Sequence, residues 1–441
     1  MTLPHREAIP GDARRTGAAI ALLALYAATI GILKAFSSDS DWSFCNFGLD
    51  GGWAACDQPY HIDEINYFIA HPGDWLRYPD PWQTATFPGF HLFIALIARL
   101  LGLSALGPGT WLRLIPSLLG VLVLGVLWRA FRDLSQSGRV ALVLALPILW
   151  SNYLYLSSLF LVTENAAYLG YTLLFLTYLE FPRRSAIIGL IGAGTVFVRQ
   201  IFLPVTLTPV ALLALPRVLR RRGVWPLVLA LAPGLLVFAL YYVAWGGPVP
   251  REVLGEHDAH ALIEPGPLVQ AVSLLGLLAV PYAILILPSL RALGRKRIAA
   301  ILAGASIVAL LAWLTLPSTR NLETGRAGSV IWLLARIAPL DNLHAPLVLP
   351  CLWLGCVALA AMVAFARERR YCPVELIMFA LYVAGLSLQR LSYQRYSEVV
   401  TLILLSATAA RCGLLPRAGS ALFIAAFVAK LIVTLTISQG G

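Results

Sequence analysis

Gly89-Phe90-His91-Leu92-Phe93-Ile94-Ala95-Leu96-Ile97-Ala98-Arg99-Leu100-Leu101-Gly102-Leu103 decides how this chain is threaded. The stretch is apolar, but it is short and carries Arg99 inside it. A helix needs about 20 residues to cross hydrocarbon. A shorter apolar helix with a charge on it suits the interface, where it lies along the membrane surface. If these residues crossed, every later loop would change sides and the arginine-rich loops would fall outside. Lys and Arg collect in cytoplasmic loops, so we read 89–103 as an interfacial helix.

The surrounding composition is that of a membrane protein. The chain has 441 residues, 59% of them hydrophobic and 12% charged, with a mean hydropathy of +0.78. A soluble chain of this length needs more charge to cover its surface. The apolar residues fall in blocks of roughly 15–22, the length of a membrane-spanning helix. The formal charge of +11 therefore reports orientation and gives no reason to expect nucleic acid.

Placing spans on these blocks predicts an all-α, polytopic helical protein of about 13 spans. It forms one integral membrane domain over residues 1–441, with the N-terminus cytoplasmic and the C-terminus outside. The first span covers about 17–36 and is retained, because no small-residue cleavage site follows it. A long outer loop, 37–110, comes next, and residues 151–164 read as a short outer turn. Residues 1–245 hold the motifs, and 246–441 supply further spans and outer loops. Counted this way, the inner segments hold 21 of the 33 Lys and Arg residues but only 5 of the 22 acids, as the positive-inside bias requires. The expected location is the cell membrane.

The first outer loop concentrates the polar and aromatic residues: Gln58-Pro59-Tyr60-His61-Ile62-Asp63-Glu64, then Gly73-Asp74-Trp75-Leu76, then Thr86-Phe87-Pro88-Gly89. After Gln58-Pro59 the residues from Ile62 to Ala70 have helical character, with Ile62, Ile65 and Ile69 on one face. Neighbours on a helix diverge by about 100°, so Asp63 and Glu64 cannot share one task. Either one acid faces a cavity and the other a cation, or both belong to a solvated loop helix. Trp75 and Trp82 either stack on a ligand through their apolar faces or form part of the interfacial aromatic belt.

Other polar residues lie at span ends. Arg199, Arg390 and Arg395 break the inner-arginine pattern, each sitting at an outer end. Such residues either snorkel as anchors or hold an anion with their fork of donors. Gln200 caps a span end or donates to a ligand. Glu164 is an acid at the membrane and needs a partner, an arginine or a ligand hydroxyl. Cys45 and Cys56 share the first loop, where a disulfide is one outcome in an oxidising compartment. Cys351, Cys356, Cys372 and Cys412 are too scattered for a metal set and read as small core residues. Glu256-His257-Asp258-Ala259-His260 lacks a third placed ligand and reads as a solvated loop. We expect no metal site and no cofactor.

Asp63-Glu64, Gly73-Asp74-Trp75-Leu76 and the Pro88-Gly89 turn into an amphipathic helix resemble the GT-C superfamily of membrane glycosyltransferases. Within it, the chain looks most like the dolichyl-phosphate-glucose alpha-1,2-glucosyltransferases. The counterparts of that family's motifs are Pro59-Tyr60-His61-Ile62-Asp63-Glu64, Asp80-Pro81, Thr86-Phe87-Pro88-Gly89, Phe197-Val198-Arg199-Gln200 and Arg395-Tyr396. The chain departs from the pattern by one extra residue between Tyr60 and Asp63, and by Ile201-Phe202 after Arg199-Gln200. The agreement spans about a third of the chain.

The resemblance implies a GT-C-like fold and an inverting hexosyltransferase acting at the outer membrane face. Its donor would be a polyprenyl-phosphate sugar of the dolichyl-phosphate type, with glucose the sugar of the nearest family. Its acceptor would be a glycan or glycolipid. Asp63 is the candidate base, with Glu64 second or orienting the loop. Arg199, Arg395 and Gln200 would hold the donor phosphate, and Tyr60, His61, Trp75, Glu164 and Tyr396 the substrates. The chemistry fits: attack by a hydroxyl on an anomeric carbon needs one carboxylate base. The lipid phosphate leaves without the second carboxyl that glycoside hydrolysis uses. The rivals are a secondary transporter and a lipid-linked polysaccharide polymerase or ligase. No matched pair of broken spans favours the first, and a large polar loop placed early in the chain disfavours the second.

Overall fold

Caps and breakers cut the apolar sequence into helices. The Thr110 side chain accepts from the Leu112 N–H, and Ser137 from the Val140 N–H, both at 3.4 Å, so each supplies a partner for an orphan donor at a helix start. Gln136 (φ 57°) and Gly246 (φ 70°) close two helices in the left-handed conformation, the usual C-terminal stop. The computed structural model describes residues 17, 20, 24–28, 53–77, 84, 86–107, 109–181, 183–213, 224–249, 266–291, 293–315, 330–331, 334, 345–369, 371–387, 394–412 and 423–427.

Among the described residues there are helices and no strand. In chain order the main ones are α1 (Trp53–Ala70), α2 (Gly89–Leu100), α3 (Leu114–Ser135), α4 (Gly138–Leu149), α5 (Asn152–Leu159), α6 (Glu164–Tyr178), α7 (Ser185–Val198) and α8 (Trp225–Trp245). They continue as α9 (Gly266–Arg291), α10 (Arg295–Thr315), α11 (Val348–Arg369), α12 (Val374–Leu386) and α13 (Gln394–Cys412). Five of the described helices are long and apolar enough to cross a membrane: Trp111–Ser135, Trp225–Trp245, Gly266–Ala283, Arg295–Thr315 and Val348–Arg369. A sixth follows if α4 and α5, bent by 68°, are one broken span. Helices α2, α7 and α12 are apolar but shorter. The chain is thus a helical protein with several helices of spanning length. Helices α8 and α10 turn large apolar side chains outward, among them Leu236 (68% exposed), Val243 (80%) and Ile307 (61%), faces that suit lipid.

Two expectations change. Residues 151–164 are not a simple turn: they contain α5, and Tyr153 through Glu164 are buried. Apolar residues at Leu154, Leu156, Leu159 and Leu161 pull the segment into the core. Helix α1 begins at Trp53, before Gln58-Pro59, and carries Pro59 inside it. That proline costs one backbone bond, yet the helix continues because Ile62, Ile65 and Ile69 lie on its buried face.

Close approach between helices relies on glycine. Gly276 of α9 lies against the Cys351 carbonyl and the Gly355 amide of α11, while Gly355 lies against the Val272 carbonyl. With no side chain between them the two backbones meet, the small-residue packing typical of membrane helices. The same holds where Gly189 of α7 meets the Leu229 carbonyl of α8. Cys351 and Cys412 are buried, and Cys356 and Cys372 are half-buried, the core role expected of them. We predict that Gly355→Leu lowers stability by about 1–3 kcal/mol or more, as overpacking does. Gly304→Leu, in open space on α10, should leave it within about 0.5 kcal/mol. Thermal unfolding of the two variants in detergent checks this.

Candidate functional site

The site is built where the first loop folds back on itself. Helices α1 and α2 pack together around Ile62, Ile65, Phe68, Ile69, Phe90 and Ile94. Arg99, the odd charge in the apolar stretch, donates from Nη1 to the Ile69 carbonyl at 2.7 Å. It satisfies one of the orphan carbonyls at the C-terminus of α1. Asn66 donates to the Leu106 carbonyl (3.0 Å) and accepts from the Leu106 N–H (2.6 Å), which ties the far end of the loop to α1. Phe87 is fully buried against Tyr241 and Trp245 of α8, with ring centroids 4.9 and 5.2 Å away. Tyr241 and Trp245 in turn donate to the Trp75 and Leu76 carbonyls at 2.9 and 3.1 Å. At Gly89 a Cβ would stand 2.5 Å from the Phe197 carbonyl oxygen, so only glycine lets α2 start against the end of α7.

Inside this frame lies a buried polar cluster. Glu64 is 3% exposed. Its Oε1 accepts from the Thr84 backbone N–H at 3.0 Å, and its Oε2 from the Thr84 hydroxyl at 2.9 Å. The Thr84 hydroxyl also lies 3.1 Å from that of Thr86. His91, from the first turn of α2, places Nε2 3.1 Å from Glu64 Oε2 and 2.7 Å from His61 Nδ1. The two rings are inclined by only 19°, with centroids 5.0 Å apart, so they meet nitrogen to nitrogen rather than face to face. Burial first, then the charges of His61 and Arg199, hold the His91 pKa well below the ordinary imidazole value. Neutral at physiological pH, His91 makes a hydrogen-bonding contact with Glu64 rather than an ion pair.

Asp63, next to Glu64, is exposed. The roughly 100° between neighbours on a helix puts it outside the cluster, and no described residue pairs with its carboxylate. Tyr60 (45% exposed) and Trp75 (44%) are also outward.

A second polar pair stands nearby. Arg199, in the extended link after α7, donates from Nη1 to Glu164 Oε1 at 2.7 Å, at the N-terminus of α6. Its guanidinium lies 5.1 Å from the centre of the Tyr396 ring. Glu164 is thus partnered by an arginine, one of the two outcomes expected; its Oε2 has no hydrogen-bond partner among the described residues. Gln200 accepts from the Phe87 N–H at 3.2 Å and donates to the Pro248 carbonyl at 3.3 Å, joining the Thr86-Phe87-Pro88-Gly89 turn to the start of the next segment.

The structure therefore gathers His61 and Glu64 at one point, Arg199, Glu164 and Tyr396 at another, with Gln200 at the turn between the first loop and α7. The backbone of Arg395 lies in α13, but its side chain falls outside the described residues, as do Arg390, Trp82, Cys45, Asp80-Pro81 and 256–260; the Cys56 side chain does too. Sequence reading passed over Thr84 and the role of His91. It also passed over Arg113, 8% exposed, which donates to the Leu159 carbonyl at 2.9 Å. One signal was present: His61 and Glu64 are three apart on a helix, which puts them on one face.

No protein-family model, curated protein or solved structure matches the chain.

For the Arg199–Glu164 pair we predict that Arg199→Met alone costs about 3–5 kcal/mol, because it leaves a buried carboxylate without its cation, and that Glu164→Gln alone is also destabilising. The double variant should cost less than the two single changes added together. Unfolding curves of the three variants in one detergent provide the cycle.

Proposed function

We propose that the chain is an inverting glycosyltransferase that takes a sugar from a polyprenyl-phosphate donor and passes it to a glycan or glycolipid acceptor at the outer membrane face. The observation that carries this reading is the division of labour between Asp63 and Glu64. Both oxygens of Glu64 are bonded by Thr84 within a closed cluster, which suits an acid that positions the loop. Asp63 is exposed on the same helix, which suits a base that meets an acceptor arriving from water. Only one carboxylate is needed, since the lipid phosphate leaves readily.

In this account the acceptor hydroxyl gives its proton to Asp63 as its oxygen attacks the anomeric carbon. The bond from that carbon to the phosphate oxygen breaks on the opposite face, and the configuration inverts. Arg199, with Arg395 and Gln200, holds the departing phosphate, for which an arginine's planar fork is suited. Arg199 already carries a carboxylate, so the phosphate joins an existing pair rather than meeting a free cation. Tyr60, His61, Trp75, Glu164 and Tyr396 belong to the substrate surroundings, with Tyr60 and Trp75 presenting exposed rings. The lipid tail enters sideways among the apolar helices, which explains an embedded enzyme. Glucose is the sugar of the family that the first loop resembles.

Two measurements test the reading. Purified protein is assayed with a panel of synthetic polyprenyl-phosphate sugars beside Asp63→Asn and Glu64→Gln. Loss of a general base costs about 10²–10⁴ in rate, so Asp63→Asn should fall by that factor; wild-type rates would remove Asp63 from the base role. Cysteine labelling in whole cells should place Asp63→Cys outside and Ser135→Cys inside. Labelling of both from one side would overturn the orientation.

A further inference from the structure

His61, Glu64 and His91 bring three metal-ligating side chains to one point. One donor atom from each lies within 4.8 Å of the others, with His91 Nε2 standing between His61 Nδ1 and Glu64 Oε2. All three residues are buried, at 4%, 3% and 0% exposed for His61, Glu64 and His91. They come from two helices: His61 and Glu64 from one face of α1, and His91 from the first turn of α2. From the geometry of this cluster we infer a binding site for a zinc-class divalent transition metal ion, held by His61, Glu64 and His91.

The donor set selects the ion. Two imidazoles and one carboxylate suit zinc and its neighbours, whereas magnesium and calcium prefer oxygen throughout. Three protein ligands leave a fourth tetrahedral position for water or an anionic oxygen, the arrangement of open zinc sites. The surroundings are also those of a metal site. Ligating carboxylates are held by further hydrogen bonds, and Glu64 is held by both the amide and the hydroxyl of Thr84.

The present spacings, 2.7 and 3.1 Å, are those of a hydrogen-bonded cluster. Ligand atoms around tetrahedral zinc, with bonds of about 2.0–2.1 Å, stand about 3.3 Å apart. Binding therefore requires the two ring nitrogens to separate by about 0.6 Å and the rings to tilt toward a common centre. A metal ion takes the place of the proton that joins the two imidazoles, and that proton moves to the other ring nitrogen of the same histidine, so both rings bind as neutral ligands. Such an ion would pin α1 to α2 at the base of the loop that presents Asp63. The inference stands on the cluster alone and does not need the transferase reading: metal binding and sugar transfer can each fail without the other.

The test is a metal titration of the full chain, purified in detergent with any affinity tag removed and stripped with a chelator. Zn²⁺ should bind at about one equivalent per chain, and Co²⁺ should give the intense visible bands of a four-coordinate site. Millimolar Mg²⁺ should not compete. Thr84→Val should weaken zinc binding by about 10–100-fold while keeping all three ligands. His91→Ala should abolish the stoichiometric site, and His71→Ala, an exposed histidine just beyond α1, should leave it intact. If His91→Ala does not fold, the wild-type cobalt spectrum and the Thr84→Val shift decide. No stoichiometric uptake, or uptake unmoved by Thr84→Val, would mean that the cluster is a hydrogen-bonded triad only and would overturn the inference.

Discussion

A carboxylate 3% exposed in a loop helix is the constraint on which the rest of this architecture depends. A carboxyl group taken from water must regain what it loses through close hydrogen bonds. Glu64 does so with the amide and hydroxyl of Thr84 and with the imidazole of His91. Those partners sit 20 and 27 positions further along the chain, so satisfying one side chain closes the loop over α1 and docks the start of α2. Turning Glu64 inward also turns its neighbour outward. The exposure of Asp63 is thus a consequence of where Glu64 is buried.

The scaffold below obeys a different logic. Apolar helices need little beyond close packing, and glycines at 189, 276 and 355 provide it by letting backbones touch. The costly groups are confined to a few places where partners exist. Arg199 meets Glu164 beside the first loop, and Arg411 meets Glu375 with two bonds of 2.8 and 3.0 Å at the C-terminal end of α13. Charges within a membrane scaffold persist where they are paired. The first of these pairs lies close enough to the Glu64 cluster for Arg199 to lower the His91 pKa, which makes the two polar groups parts of one electrostatic neighbourhood.

Much of this was legible in the sequence, for identifiable reasons. Hydropathy located the long apolar helices because the length of a spanning helix is fixed by the bilayer. Helical periodicity placed Ile62, Ile65 and Ile69 inward and separated Asp63 from Glu64. The rule that a membrane acid needs a partner anticipated a cation for Glu164. Other features depend on distant contacts that no local pattern encodes. Thr84 and His91 meet Glu64 only after the loop has folded back. Pro59 marks no helix start, since the buried face of α1 outweighs one missing backbone bond. Residues 151–164 carry the aromatic and polar letters of a turn, yet they form a buried helix because their leucines meet the core. The larger number of crossings inferred from arginine alternation extends beyond the five described helices of spanning length.

The most direct measurement of the central claim is carboxylate labelling of the intact protein with a water-soluble carbodiimide and an amine, read residue by residue by mass spectrometry. If the burial of Glu64 fixes the exposure of Asp63, then Asp63 is modified in the folded protein while Glu64 is protected, and both react once it is denatured. Labelling of Glu64 as fast as Asp63 in the folded state would contradict the account.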